Sequence, residues 1–157
     1  MSSGGIIILR ADGRQEIQPD SITLAQATEP ILQGDLVNTY PSGGVRSVRK
    51  ASANAIYTIL GIPTRTANGF AMDAAPTGTE VIRIQEPDAE NSNAKSTSNP
   101  LVIIDIGMPV YLSEITPGEV TVISPTGVQD EVSQPVGIVD DITTISWQRG
   151  IPIKINV

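Results

Sequence analysis

From Ile31 onward, apolar stretches of three to seven residues alternate with clusters of Gly, Pro, Ser, Asn and Thr at roughly ten-residue intervals. Stretches this short, bounded by turn formers, predict strands joined by turns, because a helix needs a longer periodic run. The segments that fit are 35–39, 45–49, 55–61, 80–85, 101–104, 109–113, 119–123, 134–139, 143–147 and 152–157. Val120 with Val122, and Ile151 with Ile153 and Ile155, recur at every second residue, the alternation of a sheet with one buried face. Val48, Ala51, Ser52, Ala55 and Ile56 offer a competing two-turn helix, but they run into Tyr57-Thr58-Ile59, which is strand-like. The pattern predicts an all-β fold, a compact sandwich or barrel.

One phrase occurs twice. Gly34-Asp35-Leu36-Val37, Gly43-Gly44-Val45, Leu60-Gly61-Ile62 and the stretch from Gly78 to Ile84 are matched in order by Gly107-Met108-Pro109-Val110, Gly118-Glu119-Val120, Val136-Gly137-Ile138 and the stretch from Gly150 to Ile155. The shared positions are glycines and aliphatic residues, which turn corners and pack strands and cannot move a proton or hold a metal. A β domain over 31–157 is therefore expected to consist of two related β-units, 31–85 and 101–157, joined by a polar loop at 86–100 that has almost nothing to bury.

Ahead of that domain, Ile6, Ile7, Ile8 and Leu9 form an apolar run, and Ala11-Asp12-Gly13-Arg14 follows as a turn. Pro19 and Pro30 argue against a long helix after it, and Ile22-Thr23-Leu24 is at most one brief strand. Residues 1–30 are expected to be an extended N-terminal arm that packs along something else and adds little to the core.

Composition narrows the chemistry. A chain of 157 residues is most simply one domain, burying about 70% of its unfolded surface. With no Cys there are no disulfides, thiol nucleophiles or zinc ribbons; with no His there is no Ser-His-Asp triad and almost no common zinc or non-haem iron site. No metal or cofactor is expected. A net charge of −7 argues against nucleic acid as a partner, since that affinity comes from clustered Lys and Arg. Five aromatic residues are too few for a carbohydrate or single-strand platform. The run at Ile6–Leu9 is too short for a signal-peptide core or a membrane span, so synthesis in a cytoplasm and no membrane partner are expected.

Few constellations remain. Asp140-Asp141 are adjacent carboxylates, which point to opposite faces of a strand and read as a solvated turn. Gly4-Gly5 and Gly43-Gly44 lack the spacing and Lys of a phosphate loop, and no Gly-x-Ser-x-Gly occurs. Arg46, Arg49 and Lys50 are the densest basic group, suited to a solvated face or to an acidic patch on a neighbouring subunit. An enzyme reading would need a site built between subunits from Asp and Arg residues; no catalytic residue is expected.

The wording of the second half, Gly107-Met108-Pro109-Val110-Tyr111-Leu112-Ser113-Glu114 with Pro117-Gly118-Glu119-Val120-Thr121 and Gln134-Pro135-Val136-Gly137-Ile138-Val139, resembles a module of tailed-phage virion proteins. With Gly34-Asp35-Leu36-Val37, Val48-Arg49-Lys50-Ala51 and Leu60-Gly61-Ile62-Pro63, the chain is similar to bacteriophage capsid cement, or head decoration, proteins over roughly residues 31–155. The resemblance implies a β-rich structural protein on the exterior of the virion capsid, without enzyme activity, that binds the major capsid protein, works as a homotrimer and stiffens the shell. Ile6, Ile7, Ile8, Leu9, Arg46, Arg49 and Lys50 are then the candidate capsid or subunit contacts. A tail, baseplate or fibre module that attaches to a host surface is the alternative.

Overall fold

The computed structural model describes residues 22–59, 62–63, 65–85, 93–95, 102–125, 127–142, 144–148 and 150–156. The fold is all-β, as the sequence pattern predicts, and among the described residues two short 3-10 turns occur, at Ala55–Tyr57 and Ile103–Asp105. Five strands close a barrel: β1 (Ile22–Ala27), β2 (Leu36–Ser42), β3 (Val45–Lys50), β6 (Gly69–Ala71) and β7 (Val81–Gln85), in the order β1-β3-β2-β6-β7. Closure comes from β1, which runs parallel to β3 (Gln26 opposite Ser47) and antiparallel to β7 (Ile22 opposite Gln85). A barrel of five strands has a narrow interior. Accordingly Ala25, Ala27, Ala71 and Ala75 share it with Val37, Val48, Ile31, Ile82 and Ile84.

A second sheet has the order β10-β9-β12-β13-β8, built from β8 (Asn93–Lys95), β9 (Pro109–Leu112), β10 (Val120–Thr121), β12 (Pro135–Asp141) and β13 (Thr144–Trp147). Two small ribbons, β4 (Thr58–Ile59) with β5 (Ile62–Pro63) and β11 (Val132–Ser133) with β14 (Ile153–Lys154), complete the described strands. The inner face of the second sheet, Val110, Leu112, Val120, Val136, Val139, Ile145 and Trp147, packs on Leu36, Ala51, Ala53, Ala67, Phe70 and Met72 from the first half. Trp147 stacks on Phe70 with ring centroids 5.1 Å apart and an interplanar angle of 12°. Backbone bonds stitch the same seam: Leu36 N–H to Gly118 O (2.8 Å), Gly118 N–H to Ala51 O (2.8 Å), Ala53 N–H to Ser113 O (2.9 Å) and Val132 N–H to Ala53 O (3.0 Å). Gln134, buried in the seam, accepts from Ala67 N–H and donates to Ala67 O, both at 2.8 Å.

The two units share a path and a register. Each enters its first hairpin through a positive-φ glycine, Gly34 (92°) or Gly107 (86°). Gly34 N–H donates to Ala71 O and Ala71 N–H to Asp35 O; Gly107 N–H donates to Val139 O and Val139 N–H to Met108 O. Val37 lies opposite Gly69 and Val110 opposite Gly137. Strands β1, β2, β3, β6 and β7 thus correspond to β8, β9, β10, β12 and β13. A side chain at Gly137 would place its Cβ 2.1 Å from Ser146 O, and one at Gly69 would meet Ile84 Cγ2 at 2.7 Å, so close strand approach requires glycine at both.

Several expectations change. The first phrase of the repeat matches in space, but the second does not: Val120 lies opposite Leu112 as Val48 lies opposite Thr39, so its counterpart is Val48 and not Val45. The counterpart of Gly137 is Gly69, and Leu60 and Gly61 lie outside the described residues. The stretches from Gly78 to Ile84 and from Gly150 to Ile155 do not correspond: β7 pairs with β1 and β6, whereas β14 pairs with β11. Over 55–61, a 3-10 turn precedes β4 because Tyr57 N–H turns back to Asn54 O at 3.1 Å. Of the strand expected over 101–104, Leu101 lies outside the described residues and the rest leads into the turn Ile103–Asp105, since the Asp105 carboxylate captures Val102 N–H at 2.8 Å. The stretch 86–100 contributes the edge strand β8, and its other residues lie outside the described ones. The arm expected over 1–30 lies outside the described residues as far as residue 21. From Ile22 it is the strand that closes the barrel, with Ala25 and Ala27 buried.

Because one core joins the halves, unfolding is expected to be a single cooperative transition, and Trp147→Ala should cost about 3–5 kcal/mol. Chemical denaturation followed by fluorescence and circular dichroism checks both. Two separated transitions in the parent protein would show that the units fold independently.

Candidate functional site

The basic residues singled out in the sequence lie on β3, which is exposed at its hairpin end and half-buried at its far end. Strand alternation puts Arg46 and Lys50 on one face and Arg49 on the other, so the three do not form one cluster. Exposed Arg46 donates from Nη2 to Thr39 Oγ1 at 3.4 Å. Lys50 donates its backbone N–H to Glu29 Oε2 at 2.7 Å. Arg49 turns to the outside of the barrel, donates from Nε to Asn38 Oδ1 at 3.1 Å, and lies over the Tyr40 ring at 4.1 Å from its centroid.

There it meets Arg65, which the sequence pattern did not single out. Arg65 lies over the Tyr57 ring at 3.9 Å and approaches Glu29 Oε2 at 3.6 Å. Burial, and then the positive charge of Arg65, push the Arg49 pKa down. The Tyr40 hydroxyl is 3.1 Å from Thr28 Oγ1, which donates to Val48 O at 3.2 Å, so the ring under Arg49 is itself anchored. Two stacked guanidinium groups on one outer wall form a rigid cationic face in an acidic chain. Planar, pre-oriented Arg is the side chain best matched to a carboxylate.

Beside it, Thr39, Tyr40, Pro41, Gly44, Val45 and Arg46 line a shallow hollow of about 280 Å³ at the β2–β3 hairpin. The apolar contacts proposed at Ile6, Ile7, Ile8 and Leu9 lie outside the described residues. Asp140 and Asp141 are exposed and engaged separately: Ser146 Oγ donates to Asp140, and Ile142 N–H to Asp141 Oδ1 at 2.7 Å. Among the described residues no group of three or more acidic side chains is arranged to hold a metal ion.

Two carboxyls are buried. Asp35, only 2% exposed, accepts from Leu32 N–H at 2.9 Å. Burial raises its pKa from 3.8 to about 6, against the Leu32 hydrogen bond and the charge of Lys50, while Glu119 and Glu29 add to the rise. Glu131 is pushed from 4.5 to about 7 by burial, then by a hydrogen bond and repulsion from Glu114.

No known protein family, curated protein or solved structure matches this chain. Arg49 and Arg65 each hold a guanidinium over a tyrosine ring, a planar, oriented group of the kind that pairs well with a carboxylate.

Both buried carboxyls hold their protons more tightly folded than unfolded, so the native state binds more protons across the window from 3.8 and 4.5 up to about 6 and about 7. The contribution of these two carboxyls to stability is therefore expected to be greatest below that window and to fall as pH rises through it, whereas Glu80 and Asp130, whose pKa values are lowered, lose theirs toward acid. Asp35→Asn and Glu131→Gln should each flatten the fall and stabilise the protein at alkaline pH. Denaturant midpoints measured across the pH range test this, and a slope unchanged in both variants would rule it out.

Proposed function

We propose that the protein is a structural component of a phage virion that binds the outer surface of the assembled capsid and stabilises it by bridging neighbouring major capsid subunits. The observation that carries the reading is the rigid cationic wall of Arg49 and Arg65, each guanidinium stacked on a tyrosine, on a chain of net charge −7. A cement protein must engage acidic patches of a shell without competing for the DNA inside it. An acidic chain with one fixed cationic face meets both demands. The resemblance of 31–155 to head decoration proteins points the same way, and Ile6–Leu9, Arg46 and Lys50 supply further capsid or subunit contacts.

Rigidity supports the reading as well. A clamp resists expansion of a shell only if it does not itself yield, and β6 with the Leu36–Asn38 part of β2 is buried on both faces. A single exposed ion pair contributes only about 0.2–1 kcal/mol. Repetition of the same weak contact over a lattice converts it into firm attachment through avidity. The protein carries no catalytic role in this scheme and acts as a homo-oligomer, a trimer.

Purified protein added to heads that lack it is expected to bind over the whole surface and raise their disruption temperature. Arg49→Ala with Arg65→Ala should weaken binding and reduce its salt sensitivity. Saturating protein that neither binds heads nor shifts their disruption temperature overturns the reading, as does label confined to the tail of intact virions.

A further inference from the structure

The turn that opens each unit is the same, but only one is covered. In the first unit Ile31, 1% exposed, sits three residues before Gly34. The connection between β6 and β7 folds back over it: Ile31 N–H donates to Ala75 O at 3.0 Å and Ala75 N–H to Ile31 O at 2.8 Å. That cover is held close. Gly78, at φ 80°, lies so near the chain that a Cβ there would be 2.6 Å from the Glu29 carbonyl carbon. The Glu80 carboxylate fastens the loop by accepting from Thr77 Oγ1 at 2.8 Å and Thr79 N–H at 3.0 Å.

In the second unit Ile104 sits three residues before Gly107, in the place of Ile31, and it is 85% exposed. The cause is the connection between β12 and β13, a tight turn with Asp141 opposite Thr144, too short to reach back. Val102, Ile103, Ile106 and Met108 are exposed with Ile104. The turn is nonetheless rigid: Val102 N–H donates to Asp105 Oδ2 (2.8 Å), Met108 N–H to Asp105 O (2.8 Å) and Gly107 N–H to Val139 O (2.8 Å). A fixed, contiguous apolar knob of this kind marks a docking site.

We infer that the knob at 102–108 is covered by the run Ile6–Leu9 of a second copy of this chain, laid alongside Ile104 as Ala75 is laid alongside Ile31. The knob alone is far smaller than the 20–30 residues a side of a standard face-to-face interface, so an added extended segment fits it better than a second knob does. The chain contains two runs of four consecutive Ile, Leu or Val residues, Ile6–Leu9 and Leu101–Ile104, so each copy carries both halves of the contact. Twelve residues separate Leu9 from Ile22, enough for about 40 Å of extended chain at ~3.3 Å per residue, which spans to a neighbour. Among the described residues nothing covers the knob, and the mixed-disulfide test below separates a second copy from the same chain. The inference builds on the reading of Ile6–Leu9 as a subunit contact and selects the subunit over the capsid.

The absence of cysteine makes the test direct. Ile7→Cys and Ile104→Cys proteins, mixed in equal amounts and oxidised, are expected to form chiefly the mixed disulfide between position 7 of one chain and position 104 of another, identified by peptide mass. In sedimentation equilibrium, Ile104→Asp should weaken self-association about tenfold or more. Ile8→Asp should do the same, which keeps the test decisive if the first variant misfolds. The inference is overturned if the parent protein is monomeric at every concentration, if both variants associate like the parent, or if only like-with-like disulfides form. All readouts are taken without heads, so failure here leaves the head-binding reading standing, and failure of head binding leaves this one.

Discussion

The start of β2, Leu36–Asn38, and the whole of β6 are buried on both faces, and the rest of the structure is arranged around that constraint. On β2, Leu36 faces the second sheet and Val37 the barrel interior; on β6, Phe70 faces the sheet and Ala71 the interior. Neither buried segment has an exposed side, so polar groups at its ends must be satisfied locally. Asn68 does this for β2, taking Thr39 N–H at 2.9 Å where the β6 ladder has ended, and Gln134 does it for Ala67. An unmet backbone group in such a seam costs about 1–3 kcal/mol, so these two amides are as structural as the apolar residues around them. Gly118 follows from the same crowding: at φ 87° its Cα passes so close to Asp35 that a Cβ would be 2.9 Å from the carboxyl carbon.

The repeat explains how one sequence theme yields two different surfaces. The hydrogen bonds around Gly34 and Gly107 are the same bonds, yet the residue after each glycine differs: a buried carboxyl at Asp35, a half-exposed apolar side chain at Met108. The first unit closes on itself because β1 reaches both β3 and β7, and it shelters its entry turn with a long connection. Among the described residues, the second unit is an open sheet with a short connection. The two units have in common the register and the glycines that it requires. They differ in their connections, which can lengthen or shorten at small entropic cost.

Much of this was legible in the chain. The strands at 36–42, 45–50, 81–85, 109–112, 135–141 and 144–147 announce themselves because each combines branched residues with a flanking glycine or turn. Strand β6 does not: Gly69-Phe70-Ala71 has no alternation, because both its faces are buried, and its pairing with β2 is set from thirty residues away. Barrel closure by Ile22–Ala27 was hidden for a related reason, since a parallel pairing with β3 leaves no local mark. The turn at Ile103–Asp105 was misread as strand because its deciding contact is one carboxylate on one amide, which periodicity does not register. Of the cationic face, the Arg46–Lys50 group was visible as charge density. Arg65 was not, because its meaning comes from Tyr57, Glu29 and Arg49, which only the fold assembles.

The cationic wall and the bare knob sit on different units, and the fold gives each what it needs. A guanidinium pair recognises carboxylates well only when it is held still, because a flexible Arg loses side-chain entropy on pairing that offsets much of the contact. The closed barrel supplies that stillness for Arg49 through Tyr40, tied to Thr28 and so to β1, and the 3-10 turn Ala55–Tyr57 supplies it for Arg65 through Tyr57. An apolar knob instead gains from standing clear of its own chain, and the open second unit with its short β12–β13 turn provides that clearance. Both surfaces therefore depend on the shared core between them, which holds the charged one and the apolar one at a fixed separation and orientation. A protein that had to engage an acidic lattice and its own neighbours at the same time would need just that division, with rigidity invested in the seam and chemistry placed where the two units differ.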